Sequence, residues 1–134
     1  MGRRLVAFDA WLPFVGHLKD SRKARRGHRT VCLPDYQGIG IGAALFAFNA
    51  SLWKGLGYRA FSGTAHPAEI AARKRNPNWK MTRAPGFTPK DTGNHNDMGK
   101  SRASTRLMAS FEWVGPGMPR AQAERVLNNW TTKL

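Results

Sequence analysis

The residues with the clearest chemical potential are three closely spaced glycines, Gly38, Gly40 and Gly42, preceded by Gln37 and the run Leu33-Pro34-Asp35-Tyr36. An extended stretch from Arg29 to Leu33 leads into them. Apolar residues at helical spacing lead out of them, at Ile41, Leu45, Phe48, Leu52 and Leu56. A strand that ends in a glycine turn, from which a helix starts, aims several backbone N–H groups and the positive end of a helix dipole at one point. Glycines remove the side chains that would hold an anion away. The chemistry this arrangement suits is anion binding, and in this setting the anion is the pyrophosphate of a nucleotide-like cofactor.

Three phosphate-binding schemes compete for the turn. A P-loop needs Gly-Lys-Ser/Thr after its glycines, and Ala43-Ala44 stands there instead. The dinucleotide fingerprint is formally met by Gly38, Gly40 and Ala43. It also needs an acidic residue at the end of the next strand for the ribose, and no Asp or Glu lies between Asp35 and Glu69. The third scheme fits. Gln37-x-x-Gly40-x-Gly42 resembles the Q/R-x-x-G-x-G/A motif of the GNAT N-acetyltransferase superfamily, and the run from Val31 to Gly42 resembles that motif's usual context.

The resemblance spans about residues 3 to 114, with its specific signal in 29 to 64. It implies that acetyl-CoA is the cofactor, its pyrophosphate held by the backbone of Gln37, Gly38, Ile39, Gly40, Ile41, Gly42 and Ala43. It implies too that Val31 and Cys32 pair with the pantetheine amides, and that the next strand diverges to open a wedge for the cofactor arm. The implied activity is direct transfer of acetyl from acetyl-CoA to a primary amine. Two departures from the family pattern stand out. The match begins at the family's third strand, so the sheet or the acceptor pocket is expected to be completed by dimerisation or by docking on a target. The family's general-acid tyrosine, in N-x-x-A-x-x-L-Y aligned from His66, corresponds to Arg73, which can stabilise a thiolate but is a poor proton donor. His66 has a suitable intrinsic pKa for a base, with Glu112 and Asp9 in reserve.

Bulk properties bound the rest. The 134 residues suit a single domain, 41% hydrophobic with five Trp and seven Phe. A formal charge of +14, from 22 Lys/Arg against 8 Asp/Glu, predicts affinity for polyanions, anionic cofactors or acidic protein surfaces. That charge disfavours small cationic amines as acceptors and favours a protein lysine. The alternative function, from another class, is a non-enzymatic nucleic-acid-binding or inhibitory protein on a degenerate scaffold of the same kind. The single Cys32 excludes an internal disulfide and fits a reducing compartment. The four histidines lie too far apart for a structural zinc site. No convincing targeting segment and no apolar run of membrane-spanning length is present, so a cytoplasmic protein with no membrane partner is expected.

The elements that must position the turn follow from local pattern. The fold class is α/β (α+β), with a GNAT-like mixed sheet of about four or five strands, a splayed parallel pair, and a helix packed on the sheet. Residues 5 to 64 form the cofactor-binding core. Leu5 to Phe14 is apolar except for Asp9 and reads as a strand buried on both faces, hence central; the family resemblance makes it an edge. Residues 16 to 29 read as a basic connection between strands. The helix after the turn ends near Gly55 and Gly57, and Tyr58 to Thr64 is the next strand, parallel to the one before the turn. His66-Pro67 opens a second helix that stops before Asn76-Pro77, after which Trp79 plugs the core edge. Residues 84 to 105 read as a long loop, Arg106 to Val114 as a strand, and 119 to 132 as an amphipathic helix with Ala123, Val126, Leu127 and Trp130 inward.

Overall fold

The computed structural model describes residues 3–14, 23–86 and 107–131. Five strands and three helices follow one another as β1 (Ala7–Pro13), β2 (Ala24–Cys32), α1 (Ile41–Gly55), β3 (Arg59–Thr64), α2 (Pro67–Arg75), β4 (Trp79–Gly86), β5 (Met108–Trp113) and α3 (Arg120–Thr131). The strands form one mixed sheet in the order β1-β2-β3-β5-β4. Its only parallel pair among the described residues is β2 with β3, and α1 crosses between them as a strand–helix–strand unit requires. The expected α/β class with a mixed sheet and a packed helix is what forms.

One face of the sheet is covered. Along β5, Ala109, Phe111 and Trp113 alternate inward, and Ala60, Ser62 and Thr64 do the same along β3. Phe46 of α1 lies at the middle of this layer, its ring 4.7 Å from that of Trp11 and 5.6 Å from that of Trp79. It sits directly on Gly27 of β2, where an added Cβ would fall 2.2 Å from its Cζ, so only glycine lets α1 come this close. A smaller cluster of Leu52, Met118 and Ala123 fastens α3 to the end of α1. The segment before α3 is held by Met118 N–H donating to Ser51 O (2.9 Å) and by Lys54 Nζ donating to Gly115 O (2.6 Å).

Several expectations need correction. β1 is an edge strand and not a central one, with Phe8 and Leu12 about half exposed, as the family resemblance had it. The basic stretch read as a connection is in its second half part of β2, because Ala24 to Gly27 pairs with β3 and Arg25, Arg26, Gly27 and Arg29 pair with β1. Trp79 is buried as expected, but it starts β4, a strand that Pro85 and scattered polar residues conceal in the sequence. Ala84 to Gly86 therefore belong to β4, and the rest of the expected 84–105 loop lies outside the described residues. On α3, Ala123 is buried and Val126 packs beside it, whereas Leu127 is 40% exposed. The side chain of Trp130 is not among those described. No helix among the described residues is long and apolar enough to cross a membrane.

Candidate functional site

The glycine turn is built from backbone geometry. After β2 ends, Pro34–Tyr36 forms a single 3-10 turn, with Tyr36 N–H donating to Leu33 O (2.9 Å). Gln37 is extended, and its Nε2 donates back to Cys32 O (2.9 Å), bracing the turn against the end of the strand. Cys32 Sγ donates to Tyr36 O (3.3 Å) and adds a second tie. Gly38 and Gly40 then take φ of 81° and 87°, in the left-handed region where a Cβ is penalised. A Cβ at either position would meet no atom within 4 Å, so conformation and not crowding demands glycine here.

Helix α1 starts from this turn without protection. Gly40 is its N-cap, no side chain caps it, and no acidic residue sits in its first turn. The N–H groups of Ile41, Gly42 and Ala43 precede its first internal bond, from Ala44 N–H to Gly40 O (3.0 Å). These three donors and a dipole end without a carboxylate form a positive cradle. That cradle borders a cleft of about 330 Å³ between α1 and α2, lined by Cys32, Gln37, Gly42, Ala43, Arg73 and Asn76 among others. A Cβ on Gly42 would touch protein only at Thr30 Cγ2, at an ordinary 3.6 Å. The bareness of this position keeps the cleft open and is not required by packing.

The parallel pair is splayed. β2 and β3 are in register from Ala24↔Arg59 to Gly27↔Ser62 and no further. At that point Ala10 and Trp11 of β1 face Arg29 and Gly27, leaving His28 as an extra residue on β2. This bulge bends β2 away from β3, which continues through Gly63 and Thr64 paired only with β5 on its other edge. A second cleft, of about 530 Å³, opens between the diverging strands and is lined by Gly27, His28, Ser62, Thr64, His66 and Arg73, with others. The two clefts share Thr30, Phe46, Glu69 and Arg73, so they meet beneath α2.

Arg73 stands at that junction. Its guanidinium lies over the rings of Phe46 (4.9 Å), Trp79 (5.4 Å) and Phe111 (5.9 Å), and it donates to Ser62 Oγ. Its carboxylate partner, Glu69 Oε2, is 3.8 Å away, largely exposed, and also bound by Thr64 Oγ1 at 2.6 Å. Burial pushes the Arg73 guanidinium below its usual value, and the charges of Glu69 and Asp9 oppose that shift. A guanidinium lowered from so high a starting point stays charged near neutrality. A mostly buried cation with one distant carboxylate is incompletely compensated, which favours an anion arriving in either cleft.

Of the expected catalytic residues, the structure brings His66 and Arg73 together at the splay and leaves Glu112 out. His66 is the N-cap residue of α2, exposed, and its side chain makes no capping bond; its N–H donates to Thr64 Oγ1 (3.1 Å). Glu112 projects from the opposite face of β5, where Arg59 Nε and Nη2 donate to its two oxygens at 2.9 and 2.8 Å. Asp9, held in reserve as a base, accepts from Trp11 Nε1 (2.6 Å), Thr30 Oγ1 (2.8 Å) and Asn49 Nδ2 (3.0 Å), and so ties β1, β2 and α1 together. Of the expected cofactor residues, Cys32, Gln37, Gly42 and Ala43 line the first cleft, while Gly38, Ile39, Gly40 and Ile41 form the cradle beside it. Val31 faces the other way, opposite Phe8, and only its backbone can serve a ligand in the splay.

Sequence reasoning missed Ser62, Thr64 and Gly27. Alternating small polar residues in an otherwise buried strand, and a glycine in the middle of a basic one, were the available signals. Among the described residues no group of His, Cys, Asp and Glu could hold a metal ion. No family model, curated protein or solved structure matches the chain.

Proposed function

We propose that the protein is an acyl-CoA-dependent N-acetyltransferase that moves acetyl from acetyl-CoA to a primary amine, a protein lysine being the favoured acceptor. The observation that carries this reading is the splay beside the cradle: β2 leaves β3 at the His28 bulge, one strand-length before an uncapped glycine-turn helix start. An elongated cofactor with an anionic middle and a neutral, amide-bearing arm needs both features side by side. Bare donors at Gly38 to Ala43 suit the anion, and the backbone of β2 from His28 to Cys32, unpaired toward β3, suits the amides.

Acetyl-CoA would supply the acyl group already activated as a thioester, so amide formation requires no covalent enzyme intermediate. The residues of the chain then have three tasks. The cradle holds the pyrophosphate charge. Arg73, fixed by Ser62 and by three aromatic rings, places positive charge where negative charge develops on the departing sulfur. His66, at the rim of the splay, accepts the proton released by the attacking amine. Cys32 is occupied with Tyr36 O and takes no nucleophilic role, which agrees with direct transfer. Glu112 is assigned no part in the chemistry.

A thermal-shift titration tests the binding step. Acetyl-CoA should raise the melting temperature of the native chain and leave that of Gly42→Val unchanged, since the valine fills the cleft while fitting the fold. An equal shift in both would place the ligand elsewhere and remove the basis of the reading.

A further inference from the structure

The second face of the sheet carries its own chemistry, independent of acetyl transfer. Cross-strand register assigns its residues. Arg26 lies opposite Phe61, Phe61 opposite Glu112, Lys80 opposite Glu112, Arg83 opposite Ser110, and Arg29 opposite Ala10. Their alternate neighbours, Ala60, Ser62, Ala109 and Phe111, are the ones buried under α1 and α2. Arg26 confirms the direction, because its Nη2 would be 3.2 Å from a Cβ placed on Gly63, across on β3. Arg26, Arg29, Lys80 and Arg83 are exposed, and the Arg59 side chain is 53% exposed. Five cations thus share the face with one carboxylate among the described residues, Glu112, and Arg59 already holds it.

The cations are interleaved with a stacked aromatic pair. The rings of Phe14 and Phe61 lie 5.2 Å apart at 25°, and the Arg59 guanidinium lies over Phe61 at 4.9 Å. Its two-point bond to Glu112 fixes the plane of that guanidinium. Bases stack on aromatic rings and on guanidinium planes, while phosphates are drawn to arginine and lysine. An acidic protein would satisfy the charge but give the stack no role. A second copy of a +14 chain would be repelled. Duplex readout needs an element that enters a groove, and a sheet face offers a platform instead.

We propose that this face binds single-stranded nucleic acid, with Arg26, Arg29, Lys80 and Arg83 on phosphates and the Phe14–Phe61–Arg59 stack under the bases. The test is fluorescence anisotropy with a labelled oligouridylate of roughly 12 nucleotides. Four phosphate contacts predict that affinity falls about 50-fold between ~50 and ~200 mM salt. Arg26→Gln combined with Arg83→Gln should weaken binding at least tenfold and flatten that salt dependence. Lys74→Gln combined with Arg75→Gln, on the exposed end of α2, should change it less than about threefold if the open face is the site. Phe61→Leu should lower affinity without altering the salt slope.

No binding at low salt would overturn the proposal, as would equal losses from the two charge-removing pairs, which would mark a diffuse field and not a site. Displacement of the oligonucleotide by polyglutamate at lower concentration than by unlabelled oligouridylate would also overturn it, in favour of an acidic protein. Photocrosslinking of the native chain to 4-thiouridine-containing RNA gives an answer that needs no variant. Crosslinks in β2, β3 and β5 support the site, and crosslinks confined to α2 or α3 contradict it.

Discussion

The two faces of one sheet differ in almost every physical respect. The face under α1 and α2 holds Phe46, Trp79, Phe111 and Trp113 in one cluster, and the polar side chains buried there among the described residues are Ser62 and Thr64, with a mostly enclosed Arg73 beside them. The other shows half-exposed Phe8 and Leu12 among exposed arginines. The covered face supplies the stability and shapes the clefts, because the pieces that line them, Phe46 and Arg73, are also core members. The open face supplies charge and contributes little to folding. What separates them is the presence of two helices on one side, which turns the same strand alternation into a core in one direction and a surface in the other.

That contrast breaks most visibly at matched truncations. Phe111→Ala, which empties the largest fully buried side chain, should cost about 4 kcal/mol in urea unfolding, whereas Phe8→Ala should cost less than about 1 kcal/mol. Comparable losses would mean that the second face is a core too. A slightly smaller effect is expected from overpacking: Gly27→Val drives a side chain into the Phe46 ring and should cost about 3 kcal/mol. If the variant is as stable as the native chain, α1 does not rest on β2 as described.

Arg73→Met sharpens the comparison by separating binding from folding on the covered face. Removing a poorly paired buried cation while filling its space should change stability by less than about 1 kcal/mol. The same change should weaken acetyl-CoA binding about tenfold or more, a loss of roughly 1.4 kcal/mol read by titration calorimetry. A large loss of stability with unchanged affinity would make Arg73 purely structural. The smallest effect belongs to the open face. Glu112→Gln releases Arg59 from an ion pair half open to water and should cost about 0.5 kcal/mol, with no change in acetyl-CoA affinity. A marked fall in transferase rate in this variant would return Glu112 to the chemistry.

The covered face and the turn were largely legible in the residues. Helical spacing from Ile41 onward, the alternation of Ala109, Phe111 and Trp113, and the Pro67 start of α2 are local signals, and each element formed within a residue or two of its expected limits. The glycines at 38 and 40 read as bare positions beside an anion; the structure adds that both take left-handed φ, which few other residues adopt. Features set by long-range pairing were hidden. Nothing local marks His28 as a bulge, since the extra residue exists only relative to β1. β1 read as doubly buried because an apolar run does not say how many neighbours a strand will have. Arg73 is singled out in the sequence by the alignment of a family motif, but its three aromatic walls come from α1, β4 and β5 and have no sequence signature. Glu112 has a suitable group on an expected strand, but its side chain lies on the sheet face away from the two clefts and is held by Arg59.

The most direct test of the central claim is calorimetric titration of the native chain with acetyl-CoA, repeated on Gly40→Glu. The account predicts saturable one-to-one binding to the native chain. It predicts loss of that binding in the variant, whose carboxylate would stand at the helix N-terminus proposed for the pyrophosphate. The variant should remain folded, because open space surrounds that position and the left-handed backbone costs only about 1–2 kcal/mol. Absence of heat from the native chain at about 1 mM acetyl-CoA, or undiminished binding to Gly40→Glu, would contradict the claim.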